Sequence, residues 1–241
     1  MRKDKEITGE NLSPMFGGVI RHYDLINHVF TWGMDIGWRK KLVARCLALN
    51  PEKFLDLGCG TGDLAVNIAR RAPANLQISA CDFSREMLAA ASAKAQKAGV
   101  GDKISFINAD AANLPFPDSY FECVGISFAF RNMIYKNPAA GRHLAEILRV
   151  LKPGGSCVIA ESGQPRNKFI RALHHLYLRT CVYGAGLLIS GNRQAYRYLS
   201  ESALNFYDSP ELKKILIAAG FKQVHFRPLF FGAAGIYRLI K

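Results

Sequence analysis

The 241-residue sequence predicts an α/β fold built on a mostly parallel, doubly wound sheet. Short apolar runs typical of buried strands alternate with stretches of helical periodicity, as in repeated βαβ units. A glycine-rich loop at residues 58–62 joins the first of these runs to a helix, which is typical of a place where a ligand lies against backbone. The last two predicted strands follow one another directly, so we expect an antiparallel edge near the C-terminus.

The elements of the first half have recognisable boundaries. Residues 1–11 are expected to be disordered, and the helical spacing of apolar residues from Leu12 predicts a helix ahead of the sheet that could cover a site. Further along, Ser84 is a good N-cap and Gly99 a good residue after a helix end. The predicted elements are a helix at 38–49, strands at 54–57, 76–82, 103–108 and 121–127, and a helix that ends at residue 97.

The second half contains the remaining elements. Pro138 suits the first position of a helix that runs to residue 151, and Lys-Pro-Gly-Gly at 152–155 turns the chain into a strand at 156–160. Residues 166–190 predict an amphipathic helix, either packed on the core or facing a lipidic substrate or a membrane. The chain ends with a helix at 210–219 and strands at 223–228 and 233–240.

Charge is uneven along the chain. The net charge is +13, and residues 161–241 hold twelve Lys and Arg against four Asp and Glu. Such a field favours an anionic partner: nucleic acid, anionic lipid or an acidic metabolite. A solvated basic surface without a partner is the alternative. No basic run interleaved with aromatic residues supports nucleic-acid binding, so we expect no nucleic-acid partner.

The composition also predicts the cellular compartment of the protein. The sequence has no charge-free apolar run of membrane-spanning length, and its charged start is not followed by the apolar stretch of a signal peptide. The six cysteines are scattered without a C-x-x-C pair, and three of them fall in predicted strands. This pattern predicts free, buried thiols in a reducing compartment rather than a disulfide framework or a zinc site. We therefore expect a cytoplasmic protein without a metal.

The glycine-rich loop carries the clearest functional signal. Asp56 precedes Gly58, glycines recur at positions 60 and 62, and Asp82 ends the next predicted strand 22 residues after Gly60. An acid at the tip of the second strand is where a ribose diol is bound. A dinucleotide site would keep G-x-G-x-x-G, but here the third glycine comes one residue early. The pattern resembles the S-adenosylmethionine (AdoMet) loop of methyltransferases; a glycine-rich turn in another α/β protein is the alternative.

Short motifs continue this likeness from about Leu12 to the C-terminus. They are Tyr-Asp-Leu-Ile-Asn at 23–27, Asp-Leu-Gly-Cys-Gly-Thr-Gly-Asp-Leu at 56–64, Leu-Pro-Phe-Pro-Asp at 114–118, Ser-Phe-Ala-Phe-Arg-Asn at 127–132, Arg-Val-Leu-Lys-Pro-Gly-Gly at 149–155 and Tyr-Arg-Tyr-Leu at 196–199. With them the chain resembles the C-methyltransferases of ubiquinone and menaquinone biosynthesis (UbiE/MenG type). Many AdoMet methyltransferases share the glycine loop and Leu-Lys-Pro-Gly-Gly, whereas the motifs at 23–27, 127–132 and 196–199 are far more specific to this family.

The resemblance implies a Rossmann-like class I methyltransferase fold with an N-terminal helical lid. It also implies transfer of a methyl group from AdoMet to a ring carbon of a polyprenyl quinol. Residues 12–241 are expected to form a single domain. Its parts are the lid at 12–50, an AdoMet-binding core at 51–165, a helical insertion facing substrate or membrane at 166–209, and a closing helix and strands at 210–241.

The same resemblance assigns residues to the cofactor. They are Gly58, Gly60, Thr61 and Ser127 for the methionine part of AdoMet, Asp82 for the ribose hydroxyls, Asp110 and Ala111 for the adenine edge, and Asp56, which we expect to orient the loop more than to touch the ligand. An ionised acceptor such as Asp82 gives the stronger kind of hydrogen bond.

Methylation of a ring carbon requires a nucleophilic carbon, which a phenolate provides better than a phenol. With a phenol pKa of about 10, ionisation at pH 7 costs roughly 4 kcal/mol. Arg131, directly after the fourth predicted strand, is the candidate cation, with a structural salt bridge as the alternative, and Asn132 could orient the second oxygen. Tyr23 in the lid is the candidate base or substrate contact, together with Asp24 and ahead of His22.

Two stretches depart from the family pattern where substrate contacts are expected. The family's Glu-Phe-Ser-Lys-Pro is Glu-Ser-Gly-Gln-Pro at 161–165, and its His-Arg pair is Tyr237-Arg238. The quinone head group therefore stays open, and N- or O-methylation of another small molecule is the alternative function. Intact cofactor residues with Arg131 and Asn132 argue against a non-catalytic AdoMet-binding subunit.

The expected partners follow from substrate and charge together. A polyprenyl quinol resides in a bilayer, and the basic last third of the chain favours anionic lipid. We therefore predict peripheral attachment to the inner face of the cell membrane through residues 166–190. The sequence leaves a homodimer open.

Overall fold

A computed structural model shows seven strands in one mixed sheet with helices against it. It describes residue 28, residues 31–182 and residues 200–241. The strands are β1 (Lys53–Leu57), β2 (Gln77–Asp82), β3 (Ile104–Asn108), β4 (Phe121–Ser127), β5 (Leu151–Ser162), β6 (Gln223–Leu229) and β7 (Ala234–Ile240). Their order across the sheet is β3-β2-β1-β4-β5-β7-β6.

The direction of the strands confirms the predicted fold class. Neighbours among β1 to β5 pair in parallel, whereas β7 pairs antiparallel with both β5 and β6. The chain builds outward from β1 to β3 on one side and then crosses to β4 and β5 on the other. Ligands of such sheets bind beyond the carboxyl ends of the strands, where the order reverses. Here that point lies between β1 and β4.

The helices connect and flank the strands. They are α1 (Met34–Leu47), α2 (Asp63–Ala69), α3 (Arg85–Lys97), α4 (Phe130–Ile134), α5 (Ala140–Val150), α6 (Lys168–Tyr177) and α7 (Ser209–Ala218). Short 3₁₀ turns lie at Gly101–Lys103 and Phe230–Gly232, a π-helical turn at Leu178–Val182 extends α6, and residues 200–204 are helical.

Two predicted helix starts are wrong. The helix expected from residue 38 begins at Met34, where the Asp35 backbone N–H donates to Thr31 Oγ1 at 3.3 Å. The helix expected from Pro138 begins at Ala140, because the Asn137 side chain accepts from the Ala139 backbone N–H at 2.9 Å and holds a turn ahead of the helix. The proline lies within that turn.

The start of β5 also differs from the prediction. The strand was expected at 156–160, after a turn at 152–155, but Leu151 already pairs with Phe121. The register then shifts, so that Cys123 pairs with Ser156 and the residues between bulge out of the ladder. Gly155 is required in the bulge, since a Cβ there would lie 2.8 Å from the Lys152 carbonyl oxygen.

The sheet is buried on both faces, as expected of parallel strands covered by helices. Large apolar side chains on both faces, among them Phe54 and Phe121, are fully buried. The five cysteines whose side chains are described are buried free thiols, as predicted, and burial raises the pKa of Cys46 and Cys157.

Several predictions lie outside the described residues. They are the disordered start, the lid helix from Leu12 with Tyr23, His22 and Asp24, and the part of the predicted insertion at 183–199.

Candidate active site

A cavity of about 1500 Å³ opens at the carboxyl edge of the parallel strands. The last residue of each parallel strand lines it: Leu57, Asp82, Asn108, Ser127 and Ser162. Pockets for one small molecule usually measure about 300–1,000 Å³. The cavity therefore has room for a cofactor and a second ligand side by side.

Glycine occupies the three loop positions after β1 for different physical reasons. A Cβ on Gly58 would lie 2.8 Å from Met133 Cε, and one on Gly62 would lie 2.8 Å from Ala91 Cβ. A Cβ on Gly60 would meet nothing within 4 Å, although its φ of +52° is rare for other residues. Gly58 and Gly62 are thus needed for packing, while Gly60 leaves backbone open toward the cavity that it lines.

Asp82 holds the loop against the end of β2. One carboxylate oxygen accepts from the Gly60 backbone N–H at 2.8 Å and the other from the Ser84 N–H at 3.0 Å. Each oxygen keeps a lone pair for a further donor such as a ribose hydroxyl. Burial raises the pKa of Asp82, partly offset by these hydrogen bonds. Ser84 is the N-cap of α3, as predicted, and accepts from the Met87 N–H.

Asp56 lies beneath the loop rather than in the cavity wall. Its side chain is fully buried, and Oδ2 accepts from the Ala65 backbone N–H in α2 at 2.9 Å. Burial raises the pKa of Asp56 to about 7. These contacts support a role in orienting the loop. Thr61, in contrast, lines the cavity and accepts from Lys94 Nζ at 3.0 Å.

Asp110 and Ala111 line the cavity on the loop after β3. Arg149, far away in sequence, holds this loop in place. Its guanidinium donates to the carbonyl oxygens of Leu114 and Phe116 at 2.9 and 2.7 Å, and to the Asp118 carboxylate at 2.8 Å. The motifs at 114–118 and 149–155 are therefore two parts of one structural contact.

His143 is a site residue that sequence reasoning missed. It lines the cavity from the first turn of α5, and Nδ1 lies 2.7 Å from the Met133 carbonyl oxygen. A carbonyl only accepts, so Nδ1 carries the hydrogen. Nε2 then faces the Asp110 carboxylate at 3.7 Å, beside the predicted adenine edge. The signal available in the sequence was its position on the buried face of α5, four residues before Ile147 and seven before Val150.

Several buried polar atoms of the cavity-lining residues lack a hydrogen-bond partner among the described residues. Two of them, Ser127 Oγ and Arg131 Nε, lie at and just after the end of β4. Buried polar groups are rarely left unpaired without a reason. Together with the open backbone at Gly60, these atoms show that the residues present fit AdoMet and a polar second ligand.

Arg131 both forms a salt bridge and lines the cavity, which are the two alternatives expected from the sequence. Its backbone N–H donates to Glu161 Oε2 at 2.9 Å, and Nη1 lies 3.6 Å from Glu161 Oε1. Nη1 also donates to Ser162 Oγ. Only 10% of its side chain is exposed. The pairing therefore anchors one edge of the guanidinium, and no residue in the described part of the chain pairs with Nε. Asn132 lines the cavity beside it.

The positions that depart from the family pattern are structural. Ser162 contacts Arg131, as described. The Gln164 amide donates to the Ala203 carbonyl at 2.8 Å and accepts from His175 Nε2 at 2.8 Å, which ties α6 to the helical segment at 200–204. Tyr237 is buried, and burial, together with the charge of Glu161, raises its pKa.

The part of the cavity away from the glycine loop is more apolar. Ile170, His174 and Tyr177, one face of α6, line it, as do Phe230 and Phe231 at the turn between β6 and β7. Burial lowers the pKa of His174 to about 4, so the imidazole is neutral at pH 7. The phenylalanines at this turn gave no functional signal in the sequence.

Comparisons with known proteins agree with this geometry. A sequence model of the "ubiE/COQ5 methyltransferase family" matches residues 3–241. The chain is 39% identical over 235 residues to a demethylmenaquinone methyltransferase of Deinococcus radiodurans, covering 97% of this chain and 94% of the relative. A demethylmenaquinone methyltransferase of Thermotoga maritima is 42% identical over 231 residues, covering 95% and 96%.

A solved structure supports the fold independently. A SAM-dependent methyltransferase from Aquifex aeolicus superposes with a TM-score of 0.55 at 18% identity, covering 78% of this chain and 82% of the other. The expected class I methyltransferase fold is thereby confirmed.

Proposed function

The chain belongs to the ubiE/COQ5 methyltransferase family and is an AdoMet-dependent methyltransferase, and from this premise we propose that it methylates a ring carbon of a demethylmenaquinol or a related polyprenyl quinol. One observation carries the proposal. The guanidinium of Arg131 lies at the end of β4, nine-tenths buried, with Nε unpaired in the cavity wall. A buried cation is suited to an oxyanion in an apolar site.

We assign the cofactor to the end of the cavity around the glycine loop. AdoMet supplies the electrophilic methyl group there. The Gly60 backbone leaves room for its methionine part, beside Thr61 and the unpaired Ser127 Oγ. Asp82 accepts from the ribose hydroxyls, and Asp110 with Ala111 faces the adenine edge. All of these residues line the cavity.

In the proposed mechanism, Arg131 stabilises the quinolate oxygen and thereby raises the electron density of the ring carbon. The electron pair of that carbon forms the new carbon–carbon bond while the methyl–sulfur bond breaks toward sulfur. The ring carbon then loses its proton to solvent or to a base, for which Tyr23 stays the candidate. Asn132 orients the second quinol oxygen. Glu161 and Ser162 hold the guanidinium in position.

The apolar end of the cavity suits the prenyl tail. We propose that the enzyme meets such a substrate at an anionic membrane surface to which it attaches peripherally. The excess of basic residues in 161–241 supports this, because exposed Lys and Arg are attracted to anionic lipid. None of the helices that the structure describes is long and apolar enough to cross a membrane.

Turnover on defined substrates tests the proposed function. Purified protein with AdoMet should C-methylate a demethylated naphthoquinol under reducing, anaerobic conditions, and mass spectrometry should locate the methyl group on a ring carbon. Small amines, catechols and RNA serve as parallel substrates. Methylation of one of these, with none of the quinol, would overturn the proposal in favour of another methyltransferase.

A further inference from the structure

An exposed apolar surface surrounds the apolar end of the cavity. It consists of Phe169, Leu173 and Leu176 on α6, Phe230 and Phe231 at the turn between β6 and β7, and Trp32 before α1, and we call it the apolar rim. Between 52% and 79% of each residue is exposed. Monomeric proteins rarely expose contiguous large apolar patches, and those that do often bind a membrane or a partner there.

Helix α6 has apolar residues on two faces. Ile170, His174 and Tyr177, at i, i+4 and i+7, line the cavity. Phe169, Leu173 and Leu176 repeat the same spacing one position earlier and are more than half exposed, although Leu173 also lines the cavity. A helix that only covered the core would need the first stripe alone. The second stripe therefore requires another explanation.

The backbone at the turn holds its aromatic side chains outward at a conformational penalty. Phe230 and Phe231 have φ values of 42° and 55°, a region in which bulky side chains are outliers. They nonetheless stay 53% and 72% exposed, so burial does not offset the strain. Such outliers concentrate at functional sites.

Close backbone contact joins the turn to α6. The Gly163 N–H donates to the Ala233 carbonyl at 2.9 Å, and a Cβ on Gly163 would lie 2.8 Å from the Gly232 carbonyl oxygen. Arg171 Nε donates to the Pro165 carbonyl at 2.7 Å, which fixes α6 on the same segment. These contacts bring the two parts of the rim to the same cavity, which Leu173, Phe230 and Phe231 all line, although about 60 residues separate them in sequence.

The two segments that carry most of the rim contain basic charges only. Residues 163–182, which carry α6, contain four Lys or Arg and no Asp or Glu, and the same is true of residues 220–241, which carry the turn. Arg166, Lys168 and Arg227 are exposed and lie within three positions of a rim residue in sequence. Apolar side chains bordered by basic ones are typical of surfaces that insert into anionic bilayers.

We propose that the apolar rim inserts into the acyl region of an anionic membrane leaflet, so that the apolar end of the cavity opens toward the lipid. This rests on the proposed function, since a polyprenyl substrate would then enter directly from the bilayer. Basic residues beside the rim contact the headgroups. A bilayer fits better than an acidic protein, because the surface combines exposed aromatic residues with the opening of an apolar cavity.

Vesicle binding tests the insertion. The F169S/L176S variant removes two rim side chains that do not line the cavity, and I217S is the matched control, because Ile217 is an apolar residue of α7, 42% exposed and outside the cavity wall. With vesicles of phosphatidylcholine and phosphatidylglycerol at low salt, we expect F169S/L176S to lower partitioning at least tenfold and I217S to leave it unchanged. Equal loss in both variants, or in neither, would overturn the proposal.

Trp32 reports the depth of insertion, since the chain has only one other tryptophan, the half-buried Trp38. Lipids brominated in the acyl chain should quench the fluorescence of the wild type, and W32Y should lose most of that quenching. Headgroup binding without quenching would show adsorption only and overturn insertion. If light scattering shows that F169S/L176S instead converts a dimer to a monomer, the rim is a contact between copies.

Activity on two substrates separates this proposal from the proposed function. F169S/L176S should keep wild-type turnover on a quinol with a short, water-soluble side chain and lose at least fivefold on a long-tailed quinol in vesicles. If the variant matches the wild type in turnover on both substrates, insertion is overturned while the methyltransferase assignment stays intact. The wild type could methylate neither quinol but still partition into vesicles and show quenched tryptophan fluorescence. In that case the proposed function fails, and the proposal that the rim inserts into a membrane holds.

Discussion

The two ends of the cavity are built in different ways. The cofactor end, around the glycine loop, uses backbone groups and short side chains at the ends of neighbouring strands, such as Gly60, Asp82 and Ser127. The substrate end uses long side chains from segments far apart in sequence, α6 and the turn at Phe230–Gly232.

This difference indicates how a substitution would act at each end of the cavity. The cofactor end is fixed by backbone hydrogen bonds, so a changed side chain there disturbs the loop itself. The substrate end depends on side-chain contacts between separate segments, such as those of Ser162 with Arg131 and of Gln164 with the Ala203 carbonyl. Arg131 lies where the two ends meet, next to the cofactor end at Ser127 and paired with Glu161 on β5. Predictions centred on four residues, Asp56, Arg131, Asp82 and His143, test this contrast.

The largest effect is expected beneath the cofactor end, at Asp56. Its folded pKa of about 7 lies above the ordinary value of 3.8, so the folded chain keeps a proton that the unfolded chain releases. Stability is therefore full below about pH 4 and falls as pH rises through about 7. At about 1.4 kcal/mol per pKa unit, the fall is at most about 4 kcal/mol.

Urea unfolding of the wild type and D56N between pH 4.5 and 7.5 checks this. Asn keeps an acceptor for the Ala65 N–H and cannot titrate. The free energy of unfolding of D56N should not show the fall with rising pH that is expected of the wild type. Parallel curves for the two proteins would show that Asp56 is already ionised in the fold.

Arg131 should affect turnover rather than cofactor binding. We expect R131A to lower kcat by about 10²–10³, comparable to losing one oxyanion donor, with the dissociation constant of AdoMet nearly unchanged. R131K should recover only part of the loss, because one ammonium cannot reproduce the guanidinium fork. Calorimetry and turnover on the same preparations give both quantities.

The Glu161 contact requires a stability control. R131A leaves the buried Glu161 carboxylate without its cationic partner, which is destabilising in general. R131A/E161Q removes that carboxylate charge and should regain thermal stability without regaining turnover. Full activity in R131A, or recovery of turnover in the double variant, would leave Arg131 with a structural role only.

Replacement of Asp82 should affect the binding of AdoMet at the cofactor end alone. D82A is expected to weaken AdoMet binding by about 1.5–3 kcal/mol, typical of losing hydrogen bonds to a charged group. D110A is the comparison, because the Asp110 side chain is 70% exposed and should contribute less. Unchanged affinity in D82A would remove the ribose assignment.

The smallest effect is expected at His143. Its Nε2, which carries no hydrogen, lies beside the predicted adenine edge and can accept from the adenine amino group, so H143F should weaken binding of S-adenosylhomocysteine by about 0.5–1.5 kcal/mol, the range of one hydrogen bond. H143Q, which can again place a polar group there, should recover part of the loss. If H143F binds as tightly as the wild type, His143 only supports the Met133 carbonyl.

The sequence by itself predicted the parallel core, its antiparallel edge and the polar cavity residues at and just after the strand ends. The reason is local: strand and helix periodicities place strand ends, and parallel strand ends share one edge of a sheet. Asp82, Asp110, Ser127 and Arg131 all follow strands closely, so their convergence could be expected from spacing alone.

Only the tertiary structure decided how these residues are held and what surrounds them. The Glu161 and Ser162 contacts of Arg131, the approach of His143 to Asp110, and the joining of α6 to the turn at Phe230–Gly232 all link segments about 30 to 70 positions apart. No local spacing encodes such contacts, because they depend on how helices and loops pack once the sheet has formed.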